Sequence, residues 1–142
     1  MLNTPDADAF EGNMVPGAPM DDAPIQSDGQ DAWLLDQVGR GFAVLLFVDA
    51  APDAQTLAAL QALKHGAVPV DSLIVSRQAL QVPGLKVLVD AQGWMAKRYD
   101  ATPGTTYLLR PDQHVLARWR TMNSARLQAA LARALGQFSP QA

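Results

Sequence analysis

The chain has 142 residues, nearly half of them apolar, and a net charge of −3 from 11 basic and 14 acidic side chains. That length supports one domain whose packed core needs neither metal nor disulfide. Cysteine is absent, which excludes disulfides, thiolate nucleophiles, iron–sulfur clusters and Cys-type zinc sites together. The two histidines, His65 and His114, stand in no metal-ligand spacing, so no metal site is expected. No basic segment followed by an apolar stretch opens the sequence, and no run approaches the roughly 18 apolar residues of a membrane span. The expectation is a cytoplasmic protein that does not associate with membranes.

The charge is unevenly spread. Met1 to Asp31 holds seven acids and no Lys or Arg, and the remainder holds eleven bases against seven acids, giving −7 and +4. This fits either an acidic tail folded over a mildly basic body or a plain solvated surface. Residues 1–14, rich in Pro, Gly, Asp and Ala, read as a flexible acidic lead, with one domain over residues 15–138. Val15 to Ile25 alternates apolar residues with turn formers, the pattern of an entry strand or docked arm. Asp31 is placed to cap a short helix carrying Trp33, Leu34 and Val38 on one face, ended by Gly39 and Gly41.

Phe42 to Val48 is a continuous apolar run bounded by Gly41 and Asp49, as in a strand buried on both faces, and is the best candidate for the central strand. Pro52 suits a first helical turn, after which Leu57, Leu60 and Leu63 recur at helical spacing until Gly66. Val70 to Val75 supplies a second strand, so the three elements form a right-handed βαβ unit with parallel strands. Beyond a loop with Pro83 and Gly84, Lys86 to Val89 is a short strand. Asp90 then caps a helix from about Trp94 to Tyr99.

Tyr107 to Arg110 and Val115 to Trp119 are β-favouring runs joined by Arg110-Pro111-Asp112-Gln113, which fits a type I turn with proline second and Gln113 where glycine takes a left-handed conformation more comfortably. Asn123 or Ser124 caps a last helix with Leu127, Leu131 and Leu135 on one stripe, closed by Gly136. The order predicts an α/β, thioredoxin-like fold: a mixed central sheet with a C-terminal β-hairpin and helices on both faces.

In such folds the reactive C-x-x-C pair follows the first core strand, where this chain has Asp49-Ala50-Ala51-Pro52-Asp53-Ala54. Without sulfur, thiol–disulfide exchange is chemically impossible there. Thr105 takes the place of the usual cis-proline before the hairpin, with Pro103 two residues earlier. Asp49, Asp53 and Thr105 are thus the positions of a degenerate site; Asp49 and Asp53 form either a carboxylate pair or helix-start caps. His114, beside Asp112, has no serine or cysteine tied to it and reads as structural. Lys97 to Arg133 holds seven bases and two acids, but no RNA-binding aromatic signature accompanies them, and Arg118 and Arg120 share one strand face, so nucleic acid is not expected as a partner. Gly39 and Gly41 precede a strand where a dinucleotide loop must follow one, so no FAD, NAD or ATP site is expected.

The run from Tyr99 through Arg110-Pro111-Asp112-Gln113-His114-Val115 to Ala117-Arg118-Trp119-Arg120 closely resembles the carboxy-terminal segment of FAD-dependent aromatic-ring hydroxylases of the phenol and 3-(3-hydroxyphenyl)propionate hydroxylase kind. Pro16-Gly17-Ala18-Pro19, Trp33-Leu34-Leu35-Asp36 and Gly39-Arg40-Gly41-Phe42 are similar to the family's entry into this domain and its passage to the core strand. Arg110, Pro111, Asp112, His114, Arg118 and Trp119 are the family-motif positions. The resemblance implies a non-catalytic module acting in dimer or subunit contacts, its partners being a second copy or flavin-binding hydroxylase domains. It also implies FAD only in the full-length family and no catalytic, cofactor-binding or metal residues in this chain. The stretch is either a separate gene product or a piece of a longer hydroxylase. Two other readings stand beside it: a peroxiredoxin- or thioredoxin-like redox protein lacking cysteine, and a free-standing ligand-binding or dimerisation module.

Overall fold

The computed structural model describes residues 2–136. In chain order its elements are β1 (Pro24–Ser27), β2 (Gln30–Trp33), α1 (Leu34–Gln37), β3 (Phe42–Val48), α2 (Ala54–Lys64), β4 (Val70–Ser76), β5 (Lys86–Val89), α3 (Trp94–Arg98), β6 (Thr106–Leu109), β7 (Val115–Trp119) and α4 (Ser124–Gly136). The strands form one sheet in the order β2-β1-β5-β4-β3-β6-β7. β3, β4 and β5 run parallel, while β6 pairs antiparallel with β3 and β7. The middle place belongs to β4 rather than to the expected β3, because a β1–β2 hairpin extends the sheet beyond β5.

Side-chain alternation along β3 divides the core into two layers. Ala43, Leu45 and Phe47 face a cluster closed by Leu34, Met95 and Tyr99, whereas Val44 and Leu46 face one closed by Leu60 and Leu63 of α2 and Leu127, Ala130 and Leu131 of α4. Trp119 lies in the second layer and is buried. Each such side chain contributes roughly 1.5–3 kcal/mol by its burial, on both faces of the sheet. The extra residue Leu116 interrupts the hairpin register, since Leu108 faces Ala117 and Leu109 faces Val115. The bulge leaves Val115 on the first face and puts Leu116 and Ala117 on the second.

Two local expectations are corrected. Asp31 caps no helix; it sits in β2, and the N–H of Leu35 instead donates to Asp22 Oδ1 at 3.0 Å. The reason is the unanticipated hairpin, whose turn residues Asp28 and Gly29 both have positive φ, +53° and +78°. Trp33 consequently stands half exposed at the end of an edge strand. The last helix extends through Gly136, and the domain limit placed at 138 lies outside the described residues.

The amino-terminal residues lie along the hairpin. Thr4 N donates to Leu116 O, Gly17 N to Val115 O, Val115 N to Ala18 O, and Met20 N to Gln113 O. Met14 and Met20 are buried in the first core layer. Where the composition suggests a flexible lead over residues 1–14, the structure docks Thr4 and Asp6 on β7 and Asp8 just beyond its end, Asp6 facing Arg118 and Asp8 accepting from Arg120 N at 2.9 Å. The acidic segment thus covers basic side chains of the body, the first of the two arrangements that the charge asymmetry allows. Val15 to Ala23 continues as a docked arm before β1 begins.

Candidate functional site

The carboxyl ends of parallel strands are where α/β sheets leave room for ligands. At that end β3 finishes at Val48, paired with Ser76 of β4, and the chains diverge, β3 into α2 and β4 into the loop toward β5. The gap is a cavity of about 230 Å³, floored by Phe47 and Val75 and rimmed by Asp49, Arg77, Thr102 and Pro103.

Of the degenerate-site positions, Asp49 alone lines this cavity. Asp53 is consumed as the N-cap of α2, its Oδ1 accepting from Thr56 N at 2.8 Å. That backbone hydrogen bond holds its carboxyl below the ordinary value. Thr105 is fully buried behind the rim. Its hydroxyl accepts from Thr102 N at 3.0 Å, its carbonyl accepts from Phe47 N, and the N–H of neighbouring Gly104 donates to Phe47 O. Thr105 therefore ties the loop 101–104 to the end of β3 and presents no free polar group to the cavity.

The family-motif positions lie elsewhere. Arg110 pairs with Asp112 across the hairpin turn, and His114 Nδ1 lies 3.0 Å from the Asp112 carbonyl. Pro111 is exposed beside them, and Gln113 takes a φ of +61°, the left-handed position foreseen for it. Arg118 is the most deeply placed base, its side chain 2% exposed, with a two-pronged bond to Asp6 at 2.8 and 3.0 Å. Burial opposes its charge, but the Asp6 hydrogen bond and the nearby Tyr107 hydroxyl outweigh that and raise its pKa. The Phe10 ring is covered by both Arg118 and Arg120, 4.4 and 3.8 Å from their guanidinium carbons. Tyr107 donates its hydroxyl to the carbonyl of Tyr99, and the two rings meet edge to face.

Sequence reasoning passed over Arg77 and Thr102, which carry no motif; their place at the end of a parallel strand and in the loop before the hairpin was the available signal. Nor do the residues fit a flavin dinucleotide. The loop from β3 into α2 has no glycine and carries Asp49 and Asp53 where a pyrophosphate would lie. Four cavities among the described residues, of about 230 to 310 Å³, lie near the lower limit for a drug-sized ligand. No group of three or more His, Asp or Glu side chains among the described residues is disposed to hold a metal ion. No helix among them is long and apolar enough to cross a membrane.

The β3–α2–β4 unit, parallel β5 and the antiparallel hairpin define a thioredoxin-like domain whose reactive corner has no sulfur. Solved structures carry the same fold. The flavin-dependent monooxygenase PieE, in complex with FAD and substrate, superposes with a TM-score of 0.72 at 22% identity over 96% of this chain and 24% of its own. Aklavinone-11 hydroxylase, with FAD and aklavinone, gives 0.68 at 22% identity over 96% and 25%. A thiol:disulfide interchange protein DsbE assigned in Chlorobium tepidum gives 0.68 at 20% identity over 87% of this chain and all of its own. The chain thus spans about a quarter of the length of the two monooxygenases. No curated protein sequence matches it. Residues 23–134 match the family model described as the HcaD C-terminal domain, and the chain belongs to that family. The resemblance of this chain to the carboxy-terminal domain of flavin-dependent aromatic hydroxylases holds accordingly.

Proposed function

We propose that this chain is a non-catalytic accessory module of a cytoplasmic flavin monooxygenase system, acting through contacts with a second copy or with flavin-binding hydroxylase domains. The observation that carries this reading is the fate of the former reactive corner. Its sulfur positions are occupied by Asp49-Ala50-Ala51-Pro52, Asp53 serves α2 as a cap, and Thr105 spends its hydroxyl and carbonyl on the backbone around it. No pairing of nucleophile and general base remains there, and an aspartate-flanked loop repels a pyrophosphate. Membership in a carboxy-terminal domain family supports a role beside other domains.

The test is the purified chain. It is expected to be colourless in the flavin bands, to turn over neither thiols nor peroxides, and to elute as a dimer or as a complex when mixed with separately expressed flavin-binding hydroxylase domains. Stoichiometric bound flavin, or measurable peroxide turnover, overturns the reading. So does a strict monomer that ignores those domains.

A further inference from the structure

The cavity at the carboxyl ends of β3 and β4 holds two unlike charges that do not neutralise each other. Asp49 and Arg77 directly follow the paired residues Val48 and Ser76, so their backbones start about 4.8 Å apart on neighbouring strands. Yet among the described residues Arg77 makes no ion pair and the Asp49 carboxylate makes no hydrogen bond. Both line the cavity without pairing with each other.

Arg77 is exposed, and its guanidinium rests on the loop after β5. One of its nitrogens donates to Ala91 O at 3.3 Å, and its guanidinium lies so close to Gly93 that a Cβ there would come within 3.0 Å of Nη1. Gly93, at φ +78°, supplies both the conformation and the clearance for this placement. An exposed guanidinium that spends one N–H on a carbonyl and lacks a carboxylate partner keeps donors with which to bind one. The one buried acid on the cavity wall, Asp90, is spent: its two oxygens accept from Met95 N and Ala96 N at 3.1 and 2.8 Å. Asp49 is therefore the one free acceptor carboxylate, and Phe47, Val75, Ala96 and Ala101 make the interior apolar.

We propose that this cavity binds a small organic carboxylate with a compact apolar body and a hydrogen-bond donor at its far end. Its carboxylate meets Arg77, its body lies on Phe47, and its donor faces Asp49. At about 230 Å³ the cavity is below the size range of drug-sized ligands, which limits the body to a single ring or a short chain. This goes beyond the contact role proposed above and does not depend on it, since a module that fails to dimerise still has the cavity.

The probes are 4-hydroxybenzoate, benzoate and phenol, titrated into the full ¹⁵N-labelled chain. For 4-hydroxybenzoate, saturable amide shifts are expected at residues 47–49, 76–78 and 101–103, at millimolar concentration as suits so few atoms. Arg77→Gln is expected to weaken 4-hydroxybenzoate and benzoate about tenfold and leave phenol unchanged, whereas Lys97→Gln, outside the cavity, alters none of them. Should Arg77→Gln lose its dispersed spectrum, Asp49→Asn carries the test by weakening 4-hydroxybenzoate more than benzoate. Shifts that do not saturate, that map elsewhere, or that persist with equal affinity in these variants overturn the proposal.

Discussion

Single side chains here are placed by the backbone groups they satisfy. Asp90 is 1% exposed, and its carboxylate closes the start of α3 by accepting two N–H groups that no carbonyl reaches. This cap was legible in the sequence, because an acid between a strand and a helical pattern has few other uses. The same rule failed at Asp31. The cap of α1 comes from Asp22, thirteen residues before the N–H that it accepts, and an acceptor that far away depends on how the chain folds back rather than on local spacing. Replacing Asp90 by alanine leaves the Met95 and Ala96 amides unsatisfied in a buried place. A loss of about 1–2 kcal/mol is expected in urea unfolding, with Asp90→Asn losing less because its one carbonyl oxygen still accepts. Tyr107→Phe is expected to cost about 1–3 kcal/mol, since the Tyr99 carbonyl loses the hydroxyl donated to it in the core.

At the level of elements, most of the sheet was readable. The strands β3, β4 and β5 fall within one residue of the runs that predicted them, because apolar stretches bounded by Gly, Pro or Asp have little freedom to be anything else. The β1–β2 hairpin escaped notice despite Asp28-Gly29, the strongest short turn signal in the segment. Its flanks, PIQS and QDAW, are too short and too polar to announce strands. The amino-terminal arm escaped because its contacts are made with residues more than a hundred positions away. That arm has a clear consequence for β7, the last strand of the sheet. Hydrogen bonds from Thr4 and Gly17 occupy carbonyls of β7 that would otherwise form an open edge, and open edges recruit other strands. Deleting residues 2–13 is therefore expected to lower the melting temperature and to promote self-association, read by light scattering across a concentration series. Asp6→Ala, which leaves the buried Arg118 without its carboxylate, is expected to lower stability by about 1–3 kcal/mol without exposing the edge. A deletion whose oligomeric state and stability match those of the full chain would show that the arm does not protect β7.

On the scale of the whole molecule, the arm, hairpin and α3 converge on Asp100, which follows the end of α3. Its Oδ2 accepts from Glu11 N at 2.8 Å and from Arg120 Nη2 at 2.6 Å. The Glu11 amide, with Arg120 adding to it, outweighs the opposing effect of burial and holds its carboxyl below the ordinary range. Asp53 is depressed in the same direction by Thr56. A group whose folded value lies below its unfolded one contributes stability that is present above about pH 4 and lost as pH falls through the folded value. The tyrosines work from the other side. Burial, with Asp21 adding to it for Tyr99, pushes Tyr99 and Tyr107 above their ordinary value. Their contribution is therefore intact below about pH 10 and disappears as rising pH forces them to ionise. Together these shifts predict a stability plateau with two shoulders, followed by melting temperature from pH 3 to pH 11. Asp100→Asn suits the left-handed φ of +49° at that position, so it removes the titrating group with little backbone strain. It is expected to lower the plateau and flatten the acid shoulder while leaving the alkaline one in place. Tyr99→Phe is expected to do the reverse, moving the alkaline fall to higher pH. If Asp100→Asn leaves the acid shoulder as steep as in the parent chain, the joint between arm and hairpin does not govern acid unfolding, and Asp53 at the start of α2 becomes the group to replace next.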